Sequence, residues 1–424
     1  MIRLALALVL LLLLPAAARA GEPDATQPAY QLELRGTEGG FRWTGRETVT
    51  ITNPGPAPLA GVFLRLWGNG ARGCAEPRAV VIANPAGGTL GDPTRRRCTA
   101  VRFALDAPLA AGARATIAFD VAIRASRTRP DRFGRGGKAV ALFSNAIPAI
   151  AHREGGAWRL DKWYGSGEAW TYPAAEWRVR LEAAGDFRVA APGVLQADGS
   201  RLVQSGRDYS FAAGKLRSAS ATVGAVAVTA WAPAAAPQRR LRHALDVTRE
   251  RLPRLEQLFG PFGWPDLQVV VTNSTAMEHT ALIMTPPTEY IVVHELAHEW
   301  WFGTVGDDQA TAPWLDEGFA TYAEEAVLGR RAWCRRPGPE ASLMTRGVDF
   351  FRSQPFRYGA VYFEGACLLD LLERRMGTVT FRAALRAYAI ANRHGWSTAA
   401  EFRAAMDAAS PRGLGDLWRR FGVQ

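Results

Sequence analysis

From Tyr30 to about Pro233, apolar and polar residues alternate in short runs: YQLELRG, RETVTITNPG, VRFALD, ATIAFDVAIR, EWRVRLEAA and SATVGAVAVTAWAP. Gly, Pro and Asn clusters separate them. A period of two puts alternate side chains on one face of a strand, so the pattern predicts an all-β domain. Beyond it the period changes. After the Ala-Pro-rich stretch Ala232 to Pro237, which reads as a linker, ALDVTRERLPRLEQLFG spaces its apolar residues as a helix does. LQVVVTN reads as a strand, and the remainder is mostly helical, with Thr398 and Glu401 forming a capping box at one of the last helices. The expected fold class is α+β: a β sandwich or saddle at 21–232, then a mostly helical domain at 233–424.

The first 20 residues, MIRLALALVLLLLLPAAARA, place Arg3 before an apolar run and end in Ala18-Arg19-Ala20. That is the layout of a secretory signal peptide, with the mature chain starting near Gly21. Leu4 to Pro15 is short for a membrane span, and no other segment approaches the required length, so an exported protein, periplasmic or extracellular, is expected, with an uncleaved anchor as the alternative. The four cysteines fall as Cys74 with Cys98 and Cys334 with Cys367. An oxidising compartment makes two disulfides within the respective domains plausible, although sequence alone allows three connectivities.

A net charge of +11 would ordinarily raise nucleic acid as a partner. Nearly all of that charge is arginine in an Ala- and Gly-rich chain, and Arg95-Arg96-Arg97 and the Arg239, Arg240, Arg242 group read as solvated faces. Nucleic acid is therefore not expected.

The chemistry concentrates in EYIVVHELAHEWWFG and the WLDEGFATY that follows. His294 and His298 are four apart and share one helix face, so both imidazoles can reach one metal with Glu295 beside them as a base. A catalytic zinc takes three protein ligands and leaves a fourth position to water. The third is best sought in a carboxylate on a second helix. Glu317 stands 317 − 298 = 19 positions after His298, and Gly303, Gly306, Asp307, Asp308 and Pro313 supply the break between the two helices. The second helix, from Trp314, ends at Gly329. Val293, Leu296, Ala297, Trp300 and Trp301 read as core on the opposite face.

HELAHEWWFG followed by WLDEGFATYAE resembles the aminopeptidase N-like gluzincins, a family that includes the leukotriene hydrolase relatives. Thr275-Ala276-Met277-Glu278-His279 is similar to that family's Gly-x-Met-Glu-Asn strand, whose glutamate holds the substrate's α-amino group. Val361-Tyr362-Phe363-Glu364-Gly365-Ala366 is similar to its Tyr-x-x-Gly-Ala segment, whose tyrosine stabilises the tetrahedral intermediate. The resemblance implies a thermolysin-like catalytic domain, one Zn²⁺ on His294, His298 and Glu317, Glu295 as general base, Tyr362 as oxyanion donor and Glu278 as the residue that binds the peptide N-terminus. This chain departs from the family at Thr275, His279 and Asp316, where the family has Gly, Asn and Asn. The implied function is an exported zinc aminopeptidase acting on peptide substrates. A zinc endopeptidase or other hydrolase on the same scaffold is the alternative, and a non-catalytic peptide-binding module the third reading.

Overall fold

The alternating runs form strands whose inward residues are those the period of two selects. In Arg114–Arg124, Ile117, Phe119, Val121 and Ile123 are buried while their neighbours face outward. The computed structural model describes residues 27–424 apart from 126–131, 137–138, 166, 171, 330–333 and 335. The signal-peptide reading at 1–20 lies outside the described residues. Among the described residues no helix is long and apolar enough to cross a membrane.

A seven-stranded sheet is built around Ala29–Thr37, Arg42–Thr52 and Arg114–Arg124. Two four-stranded sheets, one holding Leu59–Arg65 and Ala100–Leu109, the other Val140–Phe143 and Phe211–Gly214, and a two-stranded one of Arg153–Glu154 and Ala157–Trp158 complete the β-rich domain among the described residues. Aromatic side chains fill the space between: Trp43 meets Phe143, Phe187 and Phe211 edge to face. The cysteines pair as Cys74–Cys98 and Cys334–Cys367.

A five-stranded sheet follows, in the order Leu216–Val223, Val226–Pro233, Asp266–Val271, Leu282–Thr285, Met277–His279. Its first two strands form an antiparallel hairpin that contains the SATVGAVAVTAWAP run, and the second of them, Val226–Pro233, pairs in parallel with Asp266–Val271. The sheet thus crosses the division read at 232/233, and the Ala-Pro stretch is the end of a strand and a short turn before helix α1 (Gln238–Phe259).

Six further helices carry or support the site. Helix α2 (Glu289–His298) runs directly into a π-helical turn, Glu299–Thr304, and α3 (Trp314–Leu328) ends with Gly329 in the left-handed conformation, as expected of a C-terminal glycine. The short α4 (Val348–Phe351) precedes α5 (Gly359–Met376). Helices α6 (Thr378–Ala391) and α7 (Ala399–Ala409) pack behind, α7 opened by the Thr398–Glu401 capping box. The expected α+β architecture, a β-rich domain followed by a helical one, is the architecture found.

Candidate metal centre and active-site cleft

Helices α2 and α3 are apolar almost all round, and Val293, Leu296, Ala297, Trp300 and Trp301 are buried as expected. Of the polar residues on α2, His294 and His298 face α3, while Glu289 pairs with Arg251 of α1. His294 Nε2 lies 3.1 Å and His298 Nε2 3.4 Å from Glu317 Oε2, and one ligand atom from each residue lies within 4.8 Å of the others. The second nitrogen of each imidazole is already engaged: His294 Nδ1 with Glu324 Oε1 at 2.6 Å, and His298 Nδ1 with Asp316 Oδ1. A carboxylate on Nδ1 fixes the ring and leaves Nε2 free for a metal. Two imidazole nitrogens and one carboxylate converging in this way fit a catalytic zinc.

Close helix packing brings a fourth residue to the group. Gly318 of α3 and Gly365 of α5 lie against each other: a Cβ built on Gly365 would come 2.8 Å from the Gly318 Cα. Only glycine permits that approach. It places the Tyr362 hydroxyl, which donates to Glu317 Oε1, at 2.5 Å, with the Tyr362 ring stacked on His294 at 5.8 Å.

Glu278 comes from the edge strand Met277–His279. Successive side chains of a strand point to opposite faces. His279 accordingly meets Asp208 at 2.7 Å and Ser144 at 2.9 Å inside the protein, while Glu278 lines the cleft with His294, Glu295, His298 and Glu317. Glu278, Glu295 and His298 bring ligand-type atoms within 4.8 Å of one another. Burial pushes the carboxyl of Glu278 well above the usual range and that of Glu295 to about 7. Glu295 Oε2 is buried without a hydrogen-bond partner, as a base waiting for a proton would be. Glu317 behaves oppositely. Burial alone would raise it, but hydrogen bonds from His294 and His298 outweigh burial and hold it well below the ordinary carboxylate range.

The cleft measures about 570 Å³, room for a short peptide. Tyr290 and Phe363, both exposed, stand among its lining residues. All six residues singled out from sequence, His294, Glu295, His298, Glu317, Glu278 and Tyr362, line this one space. Four participants were not singled out as site residues. Asp316 and Glu324 orient the imidazoles; Glu324 follows Glu317 by 324 − 317 = 7 positions, two turns along the same helix face, a signal that was present. Glu168 and Arg132 enter from the β-rich domain, paired at 2.5 Å. Burial drives the Glu168 carboxyl up to about 8 against the pull of Arg132. No local motif marks either residue.

No protein-family model matches the chain. Among solved structures it is similar to an M1 zinc metallopeptidase from Deinococcus radiodurans, at 18% identity over 95% of this chain and 94% of that one, with a TM-score of 0.66. A mutant from the same organism, crystallised bound to a Tyr-Ser-Ala substrate, matches at 18% identity over 96% and 94% of the two chains, with a TM-score of 0.64. A two-domain M1 zinc metallopeptidase mutant bound to L-tryptophan matches at 17% identity over the same shares, with a TM-score of 0.65. The chain has the fold of the two-domain M1 zinc metallopeptidases over nearly its whole length.

Proposed function

We propose that the protein is an exported zinc aminopeptidase, with the β-rich part up to about residue 232 and the catalytic part from there to the C-terminus forming one cleft. The observation that carries the reading is the convergence of His294 Nε2, His298 Nε2 and Glu317 Oε2, each imidazole held from behind by a carboxylate, beside the unpartnered Glu295. His294, His298 and Glu317 would hold one zinc ion, which supplies Lewis acidity toward the scissile carbonyl and the attacking water.

The chain's own groups do the rest. Glu295 accepts the water's proton and returns it to the leaving amine, a shuttle suited to a carboxyl whose pKa lies near 7. Tyr362 turns its hydroxyl from Glu317 to the oxygen on which charge develops. Glu278 and Glu168, two buried carboxyls on the same cleft, receive the substrate's ammonium, and so set the cut after the first residue. Two disulfides and the absence, among the described residues, of any helix able to span a membrane support export. The similar Deinococcus mutant bound to Tyr-Ser-Ala supports a peptide substrate.

The deciding experiment gives the purified zinc-loaded protein one peptide with a free and one with an acetylated N-terminus and identifies the products. Release of the first residue from the free peptide alone is expected. A buried acid left facing an acetyl group loses a charge-assisted bond, so discrimination reaches about 2–3 kcal/mol and narrows in Glu278→Ala. Equal internal cleavage of both peptides, unchanged by Glu278→Ala, replaces the aminopeptidase with an endopeptidase. No cleavage of either leaves a binding module.

A further inference from the structure

Behind the cleft wall, in the β-rich domain, a cavity of about 30 Å³ is lined by Trp67, Ser144, Asn145, Trp170 and Arg132, among others. The indole Nε1 of Trp67, the indole Nε1 of Trp170 and both polar side-chain atoms of Asn145 are buried with no hydrogen-bond partner. These three residues are 5%, 6% and 4% exposed, and the two indole rings meet edge to face at 6.1 Å. Buried polar groups in folded proteins are nearly always satisfied, and three orphans around one small space point to a ligand.

The chemistry of the lining says which kind. An indole N–H only donates, and an amide nitrogen donates twice, so these three residues bring four unpartnered N–H bonds against one open acceptor, Asn145 Oδ1. Ser144 Oγ is already shared between His279 Nε2 at 2.9 Å and Met284 Sδ at 3.4 Å. Arg132 adds positive charge, and no Asp or Glu is among the described residues that line the space. At about 30 Å³ the space exceeds the ~10–15 Å³ that one water needs and admits a larger monatomic ion. We propose that this cavity binds a single monatomic anion of halide size.

The site has a consequence for the cleft, which rests on the aminopeptidase reading above. Arg132 lines both spaces: its Nη2 pairs with Glu168 Oε1, and its guanidinium carbon lies 5.4 Å from the Trp170 ring centroid. An anion beside Arg132 shares that charge with Glu168, loosens the pair and leaves Glu168 freer to receive a substrate ammonium.

The test follows thermal stability of the zinc-loaded full chain in sodium chloride and bromide against sodium gluconate at equal ionic strength. Crystals in bromide are examined at the bromine absorption edge. A saturating rise in Tm with halide alone and one anomalous peak between Trp67, Asn145 and Trp170 are expected, with halide affinity at least tenfold weaker in Trp67→Phe. Identical Tm curves in all three salts, or a water in the cavity of the bromide crystal, overturn the site; should Trp67→Phe fail to fold, the anomalous map of the parent decides. Halide should also lower KM for a free-amine peptide at constant kcat. Bound halide with unchanged KM overturns the link to Glu168. Halide binding in a protein with no aminopeptidase turnover sinks the aminopeptidase reading and spares the site.

Discussion

Around His294 and His298 the buried carboxylates of Asp316 and Glu317 each accept bonds from imidazole. In the β-rich domain the equally buried Glu47 has no hydrogen-bond partner on either oxygen. Burial raises the pKa of any carboxyl, and what decides its charge is what else touches it. Glu317 is driven low by two imidazoles, whereas Glu47, with burial as the only cause acting on it, is driven high and stays protonated. Equal burial therefore yields an anion fit to bind a metal in one place and a neutral acid in the other. The carboxylates beside the imidazoles are preorganised by their partners, whereas Glu47 is left an orphan.

The largest effect tests the proposed base, Glu295, whose Oε2 is buried without a partner. Glu295→Gln should keep zinc and fold while turnover falls roughly 10²–10⁴-fold, because the amide cannot take the water's proton. Full zinc content by metal analysis with near-parent kcat would remove Glu295 from the chemistry. Tyr362→Phe should lower kcat by about 10²-fold, near 3 kcal/mol in the barrier, with KM little changed, as befits a bond made in the transition state. Parent-like kcat in that variant would make Tyr362 a packing residue and turn attention to Tyr358, whose hydroxyl is buried without a partner.

A smaller loss is expected from the carboxylates behind the imidazoles. Asp316→Ala and Glu324→Ala should each weaken zinc binding about 10–100-fold, since the ring they orient loses its anchor. Competition with a chelator of known affinity measures this. Unaltered affinity in both variants would mean that preorganisation resides in the helix packing alone, and the contrast with Glu47 would lose its force.

How far these features were legible varied with the distance over which they are determined. His294, Glu295 and His298 are set by the pitch of one helix, and Glu317 by the next, so spacing alone exposed them. Gly318 and Gly365 stood in the motifs, but only the packing of α3 on α5 shows that their close approach delivers Tyr362 to Glu317. Strand alternation picked out the run at 220–233 without showing that it belongs to a hairpin or which sheet it joins, because the partner of its second strand, Asp266–Val271, lies beyond the whole of α1. Glu168 and Arg132 carry no periodic or motif signal, and tertiary structure alone brings them to the cleft. Glu47 was readable and missed: the alternation that sends Trp43, Val49 and Ile51 inward in Arg42–Thr52 sends Glu47 inward with them.

That residue gives the smallest and most direct test of the contrast. Glu47 is held protonated in the folded chain, with a pKa raised by burial, while in the unfolded chain it titrates at its ordinary value near 4.5. Below that value both states carry the proton, and the group adds no pH dependence. As pH rises above it, the unfolded chain releases the proton and the folded chain keeps it, so stability declines until the raised folded pKa is passed. Glu47→Leu removes both this linkage and the unpartnered oxygens. It should therefore stabilise the protein by about 1–3 kcal/mol near pH 8. The gain should shrink toward pH 5, with zinc affinity and kcat unchanged. Denaturant unfolding at the two pH values measures it. A variant less stable than the parent at pH 8, or a gain that does not depend on pH, would show that Glu47 is charged and partnered in the folded state, and its contrast with Glu317 would vanish.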